Sequence, residues 1–139
     1  MSGKKKKILF LCVGNTCRSQ MAEGFARTYG AGFFEIRSAG TSAAGVVNKA
    51  SIAAMTEIGI DISKQTSDQL EDDMLDWADV VVTLGCCSAK EVCPVSFKGE
   101  MHDWDIDDPL GRPSEVMRRV RDDIGRRVKE LLERLRKDG

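Results

Sequence analysis

The sequence predicts an α/β protein of three layers, in which helices cover both faces of a central four-stranded parallel sheet. Short apolar runs such as ILFLCV and VVVTL alternate along the chain with longer segments of helical periodicity. The apolar runs are continuous, which is typical of strands buried on both faces of a parallel sheet. A length of 139 residues, without repeats or low-complexity linkers, predicts one domain over residues 1–139.

Each element is predicted from its own pattern. Strands are predicted from four segments, which read ILFLCV (residues 8–13), FFEIRSAGT, ADVVVTLG and GEMHDWD. Helices are predicted over four segments, namely 19–29, 48–58, 67–75 and 113–137. Gly30 follows the first helix as a stop, and charged residues fill the outer face of the last one. Because strands and helices alternate, right-handed crossovers connect the parallel strands.

Composition and charge exclude several functional classes. The chain carries 21 Lys and Arg against 22 Asp and Glu, so bulk charge does not support a nucleic-acid partner.

The stretch ILFLCVG is too short to span a membrane or to act as a signal peptide, and we expect a cytoplasmic protein that makes no membrane contact. The odd number of cysteines, 5, argues against a disulfide framework and for reactive thiols, a metal site or small core residues. The single histidine leaves little material for Cys/His catalysis or a histidine-rich metal site.

The stretch CVGNTCRS, residues 12–19, lies between the first strand and the first helix. Ligands of parallel α/β folds bind beyond the carboxyl ends of the strands, where this stretch begins. Backbone N–H groups and the helix N-terminus form a cradle for an oxyanion, and Arg18 offers a planar fork for two of its oxygens. The positive field favours a nucleophilic thiolate at Cys12, with Ser19 as a hydrogen-bond donor. The predicted oxyanion-binding residues are Val13, Gly14, Asn15, Thr16, Cys17, Arg18 and Ser19.

This loop and several later segments resemble the low-molecular-weight protein tyrosine phosphatase superfamily. VGNTCRSQMAEGFAR is similar to the active-site loop of that family, and RSAGT, GIDIS, ADVVVTLG and DDP follow in the family's order over nearly the whole chain. The resemblance implies a general acid at an aspartate that precedes a proline, which is Asp108 in this sequence. Proline restricts the backbone of the residue before it, and so restricts where that carboxylate points.

The cysteines after the third strand resemble the thioredoxin-coupled arsenate reductase branch of that superfamily. The segment GCCSAKEVC contains Cys86, Cys87 and Cys93. The resemblance implies that Cys12 attacks arsenate, that Cys86 attacks Cys12 as arsenite leaves, and that Cys93 takes over the disulfide for reduction by thioredoxin. Gly85 stands where relatives often have the first redox cysteine, so Cys87 stays open as the alternative to Cys86.

The residues between Cys86 and Cys93 read CSAKEV, a composition that can form a helix, and Pro94 suits the end of such a helix. In a helix, Cys86 and Cys93 would lie about 10.5 Å apart at a rise of ~1.5 Å per residue. A disulfide needs Cα atoms within about 7 Å. We therefore expect this segment to be helical in the reduced protein and to loosen when the two cysteines pair.

Two other functions stay open at this point. A tyrosine phosphatase would hydrolyse phosphomonoesters through a Cys12 phosphoenzyme, although SAAGVVNKA offers no aromatic residue for a phosphotyrosine cleft. A zinc-binding or regulatory module would use Cys86, Cys87, Cys93 and His102, although paired ligands at C-x-x-C spacing are missing.

The resemblance also bears on ligands and partners. It implies no tightly bound cofactor and no metal in the reaction, with phosphate or sulfate as mimics of arsenate. Some relatives bind a potassium ion beside the loop, through residues that match Asn15, Glu23, Ser38 and Asp68. Cys17 matches a family cysteine of structural role. We expect a monomer.

Overall fold

The computed structural model describes residues 5–138 of the chain. Within them, the elements follow the order β1 (Lys6–Cys12), α1 (Arg18–Tyr29), β2 (Phe34–Gly40), α2 (Lys49–Thr56), α3 (Asp72–Trp77), β3 (Val80–Leu84), α4 (Ala89–Val92), β4 (Glu100–Trp104) and α5 (Ser114–Asp138). All strand pairs are parallel, and the sheet order is β2-β1-β3-β4. The predicted α/β fold with a four-stranded parallel sheet is confirmed.

Alternate residues of β1 pack on opposite faces of the sheet. Ile8 and Phe10 belong to a large apolar cluster that they share with α1, α2 and α5. Leu9 and Leu11 belong to a smaller cluster that they share with α3 and α4. Helices thus cover both faces, which explains why the β1 sequence is continuously apolar.

The long helix α5 packs its apolar stripe against the sheet and against α1. Its buried residues recur every three or four positions, as the sequence predicted; they include Val120, Ile124, Val128, Leu131 and Leu135. Gly125 lets α5 approach α1 closely, because a Cβ atom there would lie 2.7 Å from the ring of Phe25. In the described part of the chain, no helix has the length and apolar character needed to cross a membrane.

Two predicted helices are shorter than expected. The helix predicted over 67–75 begins only at Asp72, because the preceding residues pair with the end of β2. Gly40 N–H donates to the Asp68 carbonyl at 2.8 Å, and Leu70 N–H donates to the Gly40 carbonyl at 2.9 Å. These bonds hold the chain extended before α3.

The segment between Cys86 and Cys93 is also less helical than predicted. Gly85 has a φ of 76°, which takes the backbone out of helical geometry before Cys86. The single turn of α4 starts at Ala89, whose N–H donates to Asp103 Oδ1 at 2.8 Å. The expected two turns between the cysteines are therefore absent, and one short turn lies in their place.

The sheet brings two loops to one edge. β1 and β3 are neighbours, with Leu11 opposite Thr83 in the register. The loop over 13–17 follows β1 and the loop over 85–88 follows β3, so both leave the carboxyl edge side by side. Ligands of parallel α/β folds bind at this edge.

Candidate active site

The loop after β1 directs its carbonyl groups outward. Each carbonyl from Cys12 to Thr16 accepts a hydrogen bond from a group outside the loop, at distances between 2.8 and 3.1 Å. The donors, in order, are the backbone N–H groups of Thr41, Ser42 and Ala44, the side-chain amide of Gln20, and the backbone N–H of Asn48.

The outward carbonyls fix where the N–H groups point. The C=O and N–H of a trans peptide point in opposite directions, and the described chain contains no cis peptide bond. The N–H groups of the five peptides therefore turn toward the concave side of the loop, and α1 begins directly after them at Arg18. Successive N–H groups at a helix N-terminus form the cradle that tetrahedral oxyanions bind.

Asn15 orients the hydroxyl that faces Cys12. The Asp68 N–H donates to Asn15 Oδ1 at 2.8 Å, which fixes the amide so that its Nδ2 donates to Ser19 Oγ at 2.7 Å. Cys12 Sγ lies 2.9 Å from the same Ser19 oxygen. Since that oxygen already accepts from Asn15, its own hydrogen is free to point at the sulfur. The buried Ser19 hydroxyl is thus placed to donate to Cys12 Sγ.

Arg18 lies between the loop and the candidate acid. The residue is 7% exposed, and Nη1 donates to the Ile106 carbonyl at 3.3 Å. Nη2 lies 3.9 Å from Asp108 Oδ2, and the half-exposed Asp108 accepts the Leu110 N–H at 3.1 Å. Asp107 turns away to pair with Arg119 at 3.6 Å. Of the two consecutive aspartates, Asp108 therefore faces the site.

Gly85 explains a departure from the family pattern. A Cβ atom at this position would lie 2.1 Å from the Ile106 carbonyl oxygen and 2.7 Å from Arg18 Nη1. No side chain fits there while Arg18 keeps its position. The first cysteine of the loop after β3 is therefore Cys86 and not the residue directly after the strand.

The structure joins Cys86 to Cys87 in a disulfide. This pairing differs from the expected one with Cys93, which is a free and buried thiol. Cys86 Sγ lies 3.8 Å from the Leu11 carbonyl oxygen, in the peptide that precedes Cys12. Cys93 packs in the smaller apolar cluster, where burial raises its pKa and the Asp103 carboxylate raises it further.

Cys17 is a buried thiol on the other side of the loop. Burial raises its pKa to about 11, so it stays protonated at neutral pH. Its sulfur lies 3.8 Å from Met117 Sδ of α5. These contacts agree with a structural role for the side chain, while its backbone N–H belongs to the cradle.

The residues that match a potassium site form a hydrogen-bonded cluster among themselves. Asn15 Nδ2 donates to Ser38 Oγ at 2.9 Å, and Ser38 Oγ donates to Glu23 Oε1 at 2.5 Å. The cluster thus receives N–H donors from Asn15, whereas a hard cation needs oxygen ligands. These residues do not fit a potassium cage in this arrangement, and we derive no step through the ion.

Within residues 5–138, no three His, Cys, Asp or Glu side chains are grouped so that they would hold a metal ion.

Two buried residues that support the loop were not predicted. Gln20 bonds the Asn15 carbonyl and the Thr66 carbonyl, both at 2.8 Å. Gly40 lies so close to the loop that a Cβ atom would be 2.5 Å from the Val13 carbonyl oxygen. The sequence RSAGT contains Gly40, but the sequence alone does not show why a side chain is excluded there. The reason is the sheet register, which places Gly40 opposite Cys12, directly beside the loop.

Comparison with known proteins identifies the scaffold. The family described as low molecular weight phosphotyrosine protein phosphatase matches residues 7–139. The chain belongs to this family. A curated relative, an arsenate reductase of Halalkalibacterium halodurans, is 50% identical over 137 residues, which cover 93% of this chain and 96% of the relative.

Solved structures of arsenate reductases share this low-molecular-weight phosphatase fold. An arsenate reductase in the phosphate binding state is 40% identical, with a TM-score of 0.78 over 93% of this chain and 98% of that one. A thioredoxin-dependent arsenate reductase of Corynebacterium glutamicum is 27% identical, with a TM-score of 0.85 over 100% of this chain and 66% of its own length. The resemblance that the motifs predicted is confirmed, while the roles of individual site residues stay predictions.

Proposed function

We propose that this member of the low-molecular-weight phosphatase family is an arsenate reductase, which forms arsenite with electrons from its own thiols. The position of Cys86 carries the proposal. Its sulfur lies 3.8 Å from the carbonyl oxygen of Leu11, the residue before Cys12. Hydrolysis needs one nucleophilic cysteine, whereas reduction needs a second thiol within reach of the first. Curated relatives named arsenate reductases support the same function.

Arsenate is a tetrahedral oxyanion, and the loop after β1 suits it. The inward N–H groups of residues 13–17 and the N-terminus of α1 supply donors and a positive field. The Arg18 guanidinium supplies two further N–H groups in one plane. Phosphate and sulfate have the same shape and charge, so both should compete for the cradle.

The first chemical step is attack of the Cys12 thiolate on arsenic. A sulfur–arsenic bond forms and an arsenate oxygen leaves. The leaving oxygen already carries one proton as an arsenate hydroxyl group, Asp108 donates the second, and the oxygen departs as water. A general acid of this kind contributes about 10²- to 10⁴-fold to the rate.

The second step reduces arsenic. The Cys86 thiolate attacks the Cys12 sulfur, and the sulfur–arsenic bond breaks with its electron pair on arsenic. Arsenite leaves, and the two sulfurs become a disulfide. Cys86 has to be a free thiol for this step, because an oxidised Cys86 cannot attack.

A third thiol then takes the disulfide from Cys86, and a dithiol protein reduces it. Resemblance to the arsenate reductase branch favours Cys93 for the third thiol and thioredoxin for the donor. A relative that is named thioredoxin-dependent supports the donor. We assign the reaction to the cytoplasm, where such donors keep thiols reduced.

Phosphatase activity is the second candidate function. Arg18 Nη2 lies 3.9 Å from Asp108 Oδ2, and Cys12 Sγ lies 2.9 Å from Ser19, the residue after Arg18. Neither contact involves Cys86, and hydrolysis of a phosphomonoester would need only a nucleophile, an oxyanion-binding arginine and an acid. The Cys12 phosphoenzyme would be hydrolysed by water.

One variant separates the two functions. We expect reduced wild-type protein to form arsenite continuously with thioredoxin, thioredoxin reductase and NADPH. Cys86→Ser should abolish that activity but retain any hydrolysis of p-nitrophenyl phosphate, whereas Cys12→Ser should abolish both. Arsenite formation by Cys86→Ser at the wild-type rate would contradict the proposal.

A further inference from the structure

We propose that Asp103 is a positioning residue for the third step, because its carboxylate anchors the short helix that leads to Cys93. The strength of this anchor sets how readily Cys93 leaves the apolar core to attack the Cys12–Cys86 disulfide. The inference rests on the proposed arsenate reduction, and it adds a residue that lies outside the oxyanion cradle.

One carboxylate oxygen of Asp103 connects three elements of the fold. Thr83 of β3 donates its hydroxyl hydrogen to Asp103 Oδ1 at 2.6 Å, and the Ala89 N–H of α4 donates to the same oxygen at 2.8 Å. The strand register places Thr83 directly opposite Asp103 on β4. Since Thr83 is 1% exposed, its hydroxyl holds the carboxylate from a fixed point of the sheet. The first residue of α4 is thereby tied to the sheet.

The anchored turn carries Cys93 at its other end. α4 has only 4 residues, and Cys93 is its C-cap. The Cys93 N–H donates to the carbonyl of Ala89, the residue that Asp103 holds, at 2.9 Å. A single helical turn is unstable by itself, because nucleation of a helix is unfavourable. Loss of the Asp103 bond should therefore open the turn and release Cys93.

Cys93 is protected from reaction in this position. It is 8% exposed and packs in the smaller apolar cluster with Leu9 and Leu11. Burial raises the pKa of its thiol, and the Asp103 carboxylate raises it further. Thiol–disulfide exchange proceeds through the thiolate and depends on access to it. Asp103 thus opposes the reaction of Cys93 twice, through its hydrogen bond to the turn and through its charge.

The thiol of the preceding step is not held by this anchor. Cys86 Sγ lies 3.8 Å from the carbonyl oxygen of Leu11, the residue before Cys12. Cys86 also precedes α4, which begins at Ala89. Asp103 should therefore govern the third step and leave the first two unchanged.

The third step is an exchange that needs no further oxidant. The Cys93 thiolate attacks Cys86 Sγ, a bond forms between these two sulfurs, and the bond from Cys86 to Cys12 breaks. Cys12 leaves as a thiolate that is ready for another arsenate. A dithiol reductant then opens the Cys86–Cys93 disulfide and becomes a disulfide itself.

Four variants separate the hydrogen bond from the charge. Asp103→Ala removes both, whereas Asp103→Asn removes the charge and keeps an oxygen that can accept from Thr83 and Ala89. Thr83→Val removes only the hydroxyl that holds the carboxylate. Asp76→Ala is the matched control, because Asp76 is an exposed aspartate of α3, on the same face of the sheet as Cys93. The Asp76 side chain makes no hydrogen bond or ion pair within residues 5–138.

The first measurement needs no arsenate. Hydrogen exchange of the Cys93 N–H and alkylation of the Cys93 thiol by iodoacetamide are followed in the reduced proteins. Asp103→Ala should raise both rates by about 10- to 100-fold, because a hydrogen bond to a charged group is lost. Asp103→Asn and Thr83→Val should raise them less, and Asp76→Ala should not change them. Amides of α5 should keep their protection in every variant, which distinguishes local release from a loss of overall stability. Wild-type rates in Asp103→Ala would overturn the inference.

The second measurement follows one turnover. Reduced proteins are freed of reductant without oxygen, mixed with arsenate and quenched by alkylation at successive times, and arsenite and each disulfide are quantified. Asp103→Ala should release arsenite at the wild-type rate but convert Cys12–Cys86 to Cys86–Cys93 roughly 10-fold faster or more. An unchanged conversion, or a slower release of arsenite, would overturn the role of Asp103. If the reduced wild type forms no arsenite, the proposed function fails, whereas the alkylation of Cys93 still tests the anchor.

Discussion

Cys12 Sγ and Ser19 Oγ lie 2.9 Å apart, at the two ends of the loop that joins β1 to α1. Asn15 donates to the same hydroxyl oxygen at 2.7 Å, which directs the hydroxyl hydrogen at the sulfur. The nucleophile is therefore held by a donor that the loop itself orients.

Ser19→Ala should slow the attack of Cys12 on arsenate by about 10- to 100-fold at neutral pH, because a hydrogen bond to a charged group contributes about 1.5–3 kcal/mol. Single-turnover rates at neutral pH test this. A wild-type rate in Ser19→Ala would contradict the donor role of Ser19.

Cys12→Ser should abolish arsenate reduction, because serine has no accessible anion at neutral pH. Arg18→Lys should also impair turnover severely, since the point charge of lysine cannot donate two parallel hydrogen bonds to one oxyanion. Steady-state assays with thioredoxin and calorimetric binding of phosphate measure the two effects. Near-normal turnover in either variant would remove that residue from the site.

Asp108→Asn should lower the rate of the first chemical step by about 10²- to 10⁴-fold and leave phosphate affinity largely intact. Asp107→Asn is the matched control, because Asp107 pairs with Arg119 away from the site. The single-turnover rates of Asp108→Asn and Asp107→Asn show whether Asp108 is the acid. Equal rates for the two variants would show that Asp108 is not the acid.

Gly85→Ala should weaken phosphate and arsenate binding, because the added methyl group would press on Arg18 Nη1 and the Ile106 carbonyl. Gly59→Ala is the control, since Gly59 has a similar φ of 83° but nothing within 4 Å of its Cβ position. The free energy of unfolding of both variants should fall by about 1–2 kcal/mol, because alanine is strained in the left-handed backbone conformation. Only Gly85→Ala should lose affinity in calorimetry, and equal affinities would contradict the proposed contact.

Glu57→Gln should destabilise the protein near pH 7, with a difference in Tm that disappears in acid. Hydrogen bonds from Arg118 and Arg121 lower the pKa of Glu57 from 4.5 to about 2. A carboxyl whose pKa is lowered on folding stabilises the protein above its unfolded pKa and loses that contribution as pH falls through its folded pKa. The difference in Tm should thus decrease between about pH 5 and pH 2. A difference that is independent of pH would contradict this.

The fold and the nucleophile loop follow from local patterns in the sequence. The continuous apolar residues of β1 and β3 identify buried parallel strands, and the stripe on α5 identifies a helix that packs on one face. The spacing of Cys12 and Arg18 around a strand-to-helix connection predicts a nucleophile beside an oxyanion cradle. Each of these signals depends on residues that are close together in the chain.

The features that the sequence did not predict depend on contacts between distant segments. Pairing with Gly40 shortens the third helix, and Asp103 fixes where α4 begins. The burial of Cys93 in the apolar cluster of Leu9 and Leu11 likewise depends on residues far away in the chain, and spacing alone does not reveal it.

The central claim is that the thiols of this chain supply the electrons that convert arsenate to arsenite. It is tested most directly by counting free thiols after one anaerobic turnover of the fully reduced protein, with arsenite measured in the same sample. The account predicts the loss of two thiols for each arsenite formed. Release of phosphate from a phosphomonoester with no loss of thiols, and no arsenite from arsenate, would contradict it and would identify the chain as a phosphatase.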